Sequence, residues 1–154
     1  MTFRHALVLA AVALVVLALA LSLQNGHVSS SAVLPLVPGV LNADVTQANI
    51  GSTVCVHGWT ATIRPPVEYT NALKVEQMRT YGETGPPSQY QEDHLISLEL
   101  GGDPTDPGNL WPEPYPRAAD VDQIENELNA QVCRGRLSLR DAQRKESELK
   151  HNQG

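Results

Sequence analysis

The stretch EDHLISLELGGDPTDPGNLWPEPYP, residues 92–116, decides how this chain folds. It opens with an Asp-His pair, alternates between polar and apolar residues, and stops at Gly101-Gly102. Alternation with a period of two is typical of a β-strand, and paired glycines commonly end one. Because five prolines follow between Gly102 and Pro116, we expect an ordered, non-helical loop after the strand.

Two further elements are expected before this stretch. Residues 52–63 (STVCVHGWTATI) are rich in Val, Thr and Ile, which predicts a short strand or hairpin. Residues 69–82 (YTNALKVEQMRTYG) predict a helix with Thr70 or Asn71 as its N-cap. Gly82 lies where that helix should end, since glycine readily adopts the left-handed conformation of a C-terminal cap.

Two helices are expected after it. Residues 118–133 predict an amphipathic helix because apolar side chains recur at helical spacing, namely Val121, Ile124, Leu128 and Val132. Four polar residues lie beside that apolar face: Asp122, Glu125, Asn126 and Asn129. Ser138, followed three residues later by Asp141, is a capping-box pattern that opens a last helix. We expect this helix to give way to a polar tail, KHNQG, from Lys150 onward.

The N-terminus has the pattern of a targeting segment. Sixteen apolar residues run without a break from Ala6 to Leu21, and Arg4 precedes them. This pattern predicts a secretory signal peptide or a retained membrane anchor over residues 1–23, and both readings stay open. Residues 24–40 lack periodicity and predict a linker, so the folded domain should span residues 41–150. We therefore expect a protein that is secreted or anchored to the outer face of the cytoplasmic membrane.

Two cysteines, Cys55 and Cys133, fall within the part expected to be exported. In an oxidising compartment such a pair is more often bridged than free, although two separately buried thiols are the alternative. Their spacing argues against a zinc site. Trp111 is expected to anchor the core rather than to stack on a base.

The distribution of charge limits what the chain can bind. Its net charge is −6, and residues 83–127 hold eleven carboxylates against one base, Arg117. A chain that wraps nucleic acid by charge alone should be more basic than this. A bound divalent cation would reverse part of the acidic field around residues 92–116. The six bases and three acids of residues 134–150 fit either a solvated helix face or a rim that contacts phosphates.

The order Asp-His, Gly-Gly, Asn-Leu and then an acidic helix resembles the HNH endonuclease motif of the ββα-metal fold. With STVCVHGWTATIRPP, NLWPEPY and the VC.G.LSL..AQ tail, the chain resembles small exported bacterial HNH-like proteins over most of residues 44–144. The resemblance implies an α+β domain with a ββα-metal core, additional flanking helices and a short N-terminal strand or hairpin. It also implies a metal-dependent endonuclease that hydrolyses the phosphodiester bonds of nucleic acid.

The resemblance assigns roles to residues of the opening stretch. His94 would be the general base, because an imidazole titrates near neutrality and can take a proton from water. Asp93 would bind a hard divalent cation such as Mg²⁺. Asn109 would hold the loop and orient the base by hydrogen bonding. Gly101 and Gly102 would make the tight turn and leave room for a phosphate backbone.

A second metal ligand is expected from the helix that follows. HNH proteins commonly place a His or Asn there, whereas this chain has Ala119 and Val121 near those positions. Glu125 is the first candidate, followed by Asp122 and Asn126. The competing reading of Glu125 is an ordinary residue on a solvated helix face.

We therefore expect an exported, monomeric nuclease that acts on DNA in preference to RNA and meets the membrane only through its N-terminal segment. Its cofactor would be Mg²⁺, with Mn²⁺ or another transition metal as alternatives. A second hypothesis is a catalytically inactive HNH-like domain that binds a partner or nucleic acid at the cell surface. A third is a disulfide-stabilised envelope protein without a metal.

Overall fold

A computed structural model describes residues 39–115 and 117–152 of the chain. The predicted signal or anchor segment lies outside these residues, as does the predicted linker apart from its last two positions. Within the described part, four helices accompany one two-stranded antiparallel sheet, which makes the domain α+β. In chain order the elements are α1 (Trp59–Ile63), α2 (Val67–Tyr81), β1 (Tyr90–His94), β2 (Leu110–Pro114), α3 (Arg117–Cys133) and α4 (Leu139–Asn152). No helix among the described residues is both long and apolar enough to cross a membrane.

The prediction of a strand or hairpin over residues 52–63 is wrong. The first half of this segment is a series of turns, in which the amide of Cys55 donates to the carbonyl of Ile50 at 3.0 Å. Its second half is the short helix α1, which begins after Gly58 in the left-handed conformation (φ 80°). Strand propensity reflects packing on a sheet surface, and the two-stranded sheet does not extend to this segment. Local turns satisfy its backbone instead.

Helix α2 begins three residues before Thr70, the first of the two N-caps expected from the sequence. Its N-cap is Pro66, whose fixed φ of −57° leads directly into the first turn. The predicted end is confirmed. Gly82 caps the helix with φ 70°, and its amide donates to the carbonyl of Arg79.

Strand β1 stops at His94, so the alternating run is a strand only in its first half. Residues Leu98–Leu100 form a 3₁₀ turn instead. Part of the loop expected after Gly102 is also different, because Leu110–Pro114 pairs antiparallel with β1 as strand β2. The two prolines of β2, Pro112 and Pro114, lie opposite Glu92 and Tyr90. These are non-hydrogen-bonded pairs of the antiparallel ladder, so the missing proline amides leave no hydrogen bond unmade.

The main core forms where α3, α4 and the turns before α1 meet. Its buried residues are Val45, Val54, Ile96, Leu100, Leu128, Val132, Leu139 and Ala142. The predicted disulfide is confirmed, since Cys55 and Cys133 are bonded with their Cα atoms 5.5 Å apart. It ties the end of α3 to this core and is consistent with a secreted protein. Trp111 is fully buried, as a core anchor should be.

Both predicted C-terminal helices are present, and each departs from expectation in one respect. On α3, Ile124 is exposed, and Glu125 takes its place in the buried face beside Val121 and Leu128. On α4, the Ser138 hydroxyl accepts from the amide of Asp141 at 3.1 Å, which confirms the predicted cap. The prediction of a polar tail from Lys150 onward is wrong, because α4 continues to Asn152 and Lys150 is fully buried.

Candidate active site

A cleft of about 390 Å³ opens where β1 ends, next to the middle of α3. Strand β1 contributes the Asp-His pair to it, and α3 contributes residues one turn apart. The ionisable residues that line the cleft are Arg64, Glu92, Asp93, His94, Glu99, Asp122 and Glu125. The cleft is thus rich in carboxylates, so a bare phosphate would be repelled unless a cation were present.

Three of these carboxylates converge. Asp93, Asp122 and Glu125 each present one oxygen, and the three oxygens lie within 4.8 Å of one another. We call these residues the carboxylate trio. Asp122 and Glu125 meet because they are three residues apart on α3, and Asp93 joins them because β1 ends beside that helix. Three oxygen donors suit a hard divalent cation such as Mg²⁺ or Mn²⁺.

Asn126, the fourth candidate ligand, also lines the cleft but lies outside the trio. Its side-chain amide donates to the backbone carbonyl of Asp122 at 2.6 Å, one turn back along α3. This contact uses Nδ2, whereas a metal would be bound by Oδ1, so Asn126 stays a candidate ligand beside the trio.

The ammonium group of Lys150 lies inside the cluster. Its Nζ is 2.7 Å from Oδ2 of Asp93 and 2.5 Å from Oε1 of Glu125. It also donates a short hydrogen bond to the backbone carbonyl of His94 and lies 3.8 Å from Oε1 of Glu146. Lys150 is fully buried, so these groups replace its entire hydration shell.

The protonation of the acids follows from this arrangement. Burial alone would raise the pKa of Asp93, but the adjacent Lys150 ammonium outweighs it and lowers that pKa. Burial raises the pKa of Glu125 to about 9 and that of Glu146 to about 7, although Lys150 opposes both shifts. Burial and the charge of Asp93 together raise the pKa of Glu113 to about 8. The cluster therefore holds more carboxyl groups than its buried cations can keep ionised.

His94 is oriented for a base. Its Nε2 lies 3.1 Å from the carbonyl oxygen of Pro104, which can only accept a hydrogen bond. The proton therefore sits on Nε2, and Nδ1 carries the lone pair. Burial lowers the pKa of His94, so the ring is neutral at pH 7 and able to accept a proton.

Asn109 holds the loop behind this histidine. It is fully buried, and its Oδ1 accepts from the amide of Ile96 at 2.9 Å and from that of Val40 at 3.2 Å. Its Nδ2 donates to the carbonyls of Ile96 and Asp103 at 3.0 and 2.8 Å. Asp103 precedes Pro104, the partner of His94, so Asn109 acts on the imidazole through the loop and not by direct contact.

The two glycines serve the fold rather than leaving room for a phosphate. Gly101 has φ 76°, and a Cβ there would lie 2.6 Å from Cγ1 of Val45. A Cβ on Gly102 would lie 1.8 Å from the carbonyl oxygen of Ile96. The expected tight turn is present, but the space beside it is filled by the protein itself.

Sequence reasoning missed several charged residues around the trio, most of them outside the opening stretch. Lys150 and Glu146 lie four apart on α4, a spacing that usually marks an exposed ion pair. Glu113, within that stretch, lies against Arg117, whose Nε is 3.3 Å from its Oε1. For Lys150 and Glu146, the only signal in the sequence was their spacing. Ala142, Glu146 and Lys150 follow one another at intervals of four and so share one face of α4, and all three are fully buried.

Comparisons of the chain with models of known protein families, with curated proteins and with solved structures gave no match. The reading of this site therefore depends on its own geometry.

Proposed function

We propose that this domain is an exported, metal-dependent HNH-like endonuclease that hydrolyses phosphodiester bonds. One observation carries the proposal: the cleft that holds the carboxylate trio also holds the His94 imidazole, whose Nε2 is bonded to the Pro104 carbonyl, which leaves Nδ1 as the lone-pair nitrogen. A cation site beside a positioned base is what hydrolysis of a phosphodiester requires. The strand–strand–helix order of β1, β2 and α3 supports an HNH-like ββα arrangement.

The chain's own residues would divide the work as follows. Asp93, Asp122 and Glu125 would hold Mg²⁺ or Mn²⁺, which would neutralise charge that develops on the phosphate and leaving oxygens. His94 would accept the proton of the attacking water at Nδ1. Asn109 would keep the Pro104 carbonyl in place, and so the tautomer of His94.

The acidic lining of the cleft accounts for the expected dependence on a metal. Five carboxyl-bearing residues line it against Arg64 and a neutral His94, so a polyanionic substrate gains little attraction from the protein alone. A bound divalent cation would supply that attraction. We propose DNA in preference to RNA as the substrate, and a monomer as the active species.

The test is nicking of supercoiled plasmid, with structured RNA as a parallel substrate, in the presence of Mg²⁺, Mn²⁺ or a chelator. His94→Gln keeps a donor for the Pro104 carbonyl but has no basic nitrogen. We expect the nicking rate to fall by about a hundredfold or more. His57→Gln is the matched control, since His57 is exposed and lies outside the cleft. Nicking by His94→Gln at the rate of the control, or nicking that persists in chelator, would refute the proposal.

A second candidate function is a catalytically inactive HNH-like binding domain. The burial of Lys150 against two of the three trio carboxylates favours it, because an internal cation already neutralises part of the site. In that case no ion should produce nicking. Nucleic acid or a surface partner should still bind, in a gel-shift or pull-down assay, without regard to added metal.

A further inference from the structure

One face of helix α4 is buried, and it is apolar at its start and polar where it reaches the site. Leu139 and Ala142 begin this face in the core, and Glu146 and Lys150 continue it one and two turns later. Hydrogen bonds hold this part of α4 in place. The Gln143 side chain donates to the carbonyl of Leu100 at 2.8 Å, and Glu146 Oε1 accepts from the amide of Ser97 at 3.0 Å. Lys150 therefore reaches the trio from a helix that is firmly seated.

The ammonium group of Lys150 is fully coordinated. An ammonium has three N–H donors, and here they face Asp93 Oδ2, Glu125 Oε1 and the carbonyl of His94. Glu146 adds a third carboxylate at 3.8 Å, and its Oε2 is buried with no hydrogen-bond partner among the described residues. The surroundings of Nζ are those of a cation site made of protein oxygens, with an uncommitted oxygen beside it.

We propose that Lys150 is a tethered cation that pairs with Asp93 and Glu125 before any divalent ion binds, and that it keeps such an ion out of the deep end of the cluster. The inference rests on the proposed metal site. A divalent ion would then be held by the remaining oxygens of these two carboxylates together with Asp122, on the open side of the cleft. Lys150 is a positioning residue, since it is fully buried and cannot touch a substrate.

Two consequences distinguish this role from simple packing. The wild-type protein should fold and keep its site in chelator, because the two ligands are already paired. Neutralising Lys150 should make divalent binding tighter, because a positive charge close to the ion is removed while the carboxylates remain. A residue that served only stability would not increase metal affinity when it was replaced.

The experiment measures Mn²⁺ binding to the full exported domain by calorimetry, with stability followed by thermal melting in chelator and in Mn²⁺. Lys150→Met keeps the length of the side chain without its charge. We expect it to bind Mn²⁺ about tenfold more tightly than wild type or more, and to regain thermal stability when Mn²⁺ is added. Lys145→Met is the matched control, since Lys145 is exposed on the same helix.

Two further variants keep the inference falsifiable if Lys150→Met does not fold. Lys150→Arg retains the charge and should not gain Mn²⁺ affinity. Glu146→Gln combined with Lys150→Met removes one buried acid together with the base, and should still bind Mn²⁺ more tightly than wild type. Equal or weaker Mn²⁺ binding by both neutralised proteins would overturn the inference.

These outcomes separate the inference from the proposed nuclease activity. If wild type nicks plasmid with Mn²⁺ but the neutralised variants gain no affinity, the nuclease stands and the role of Lys150 falls. If no protein nicks plasmid but the neutralised variants bind Mn²⁺ tightly, the role of Lys150 stands and the nuclease falls.

Discussion

Asn109 joins three backbone segments, one of which lies 69 residues away in sequence. Its side-chain amide contacts Val40, Ile96 and Asp103, and its own carbonyl accepts from the amide of Leu95 at 2.8 Å. No other residue type of this size can accept two backbone amides and donate to two carbonyls from one planar group. The asparagine that the resemblance expects to hold the loop therefore does so behind His94, through contacts to three backbone segments.

We predict that Asn109→Asp destabilises the domain by about 3 kcal/mol or more. The change removes the donors to the Ile96 and Asp103 carbonyls and places a charge where the residue is fully buried. Urea unfolding followed by tryptophan fluorescence measures the loss. Asn71→Asp is the matched control, because Asn71 is exposed on α2 and should change stability by no more than about 0.5 kcal/mol. Equal stability of the two variants would contradict the prediction.

At the scale of elements, helix α3 connects the site to the core. Its N-terminal half supplies Asp122 and Glu125, and its last residue, Cys133, is bonded to Cys55. The side-chain amide of Asn129, between them, donates to the carbonyls of Val54 and Glu99 at 3.1 and 2.8 Å. The position of the trio thus depends on how α3 is fastened to the turns before α1.

We predict that breaking the disulfide lowers the free energy of unfolding by about 4 kcal/mol, since it closes a loop of 78 residues in the unfolded chain. The measurement is thermal and urea unfolding of wild type with and without reductant. The double variant Cys55→Ala/Cys133→Ala should match reduced wild type and should not respond to reductant. A stability that reductant leaves unchanged in wild type would count against a structural role for the bond.

At the scale of the whole molecule, the buried acids should make stability depend on pH in an unusual direction. Burial and the charge of Asp93 raise the pKa of Glu113 to about 8, from an ordinary value of 4.5. The folded state therefore holds a proton that the unfolded chain releases above that value. The contribution of Glu113 is complete below about pH 4.5 and is lost as the pH rises through about 8. Asp93 acts oppositely, because Lys150 lowers its pKa and its contribution is lost only in acid.

We predict that in chelator Tm falls by about 5 °C or more between pH 5 and pH 9. Glu113→Gln keeps the neutral form at every pH and should flatten this decline. Glu76→Gln, an exposed change on α2, should leave the slope as it is in wild type. A Tm that rises over this range in chelator would show that the acids are ionised and paired in the folded state.

Much of the fold follows from local patterns in the sequence. Gly82 ends α2 and Ser138 caps α4 because left-handed glycine and a hydroxyl cap act within one turn of the chain. The strand or hairpin expected at residues 52–63 failed for the opposite reason. A strand needs a partner, and β1 and β2 pair only with each other in the sheet.

For the site, the sequence by itself determined which chemistry is present, because Asp93, His94 and Asn109 lie in one short stretch with the Gly-Gly turn between them. Only the tertiary structure decided which cation neutralises the carboxylates of the site. Lys150 lies 57 residues from Asp93 and 25 from Glu125, and on its own helix it resembles an ordinary solvated lysine. Its burial depends on several elements closing around one charge, and a lysine is stable there only when carboxylates from those elements replace its water.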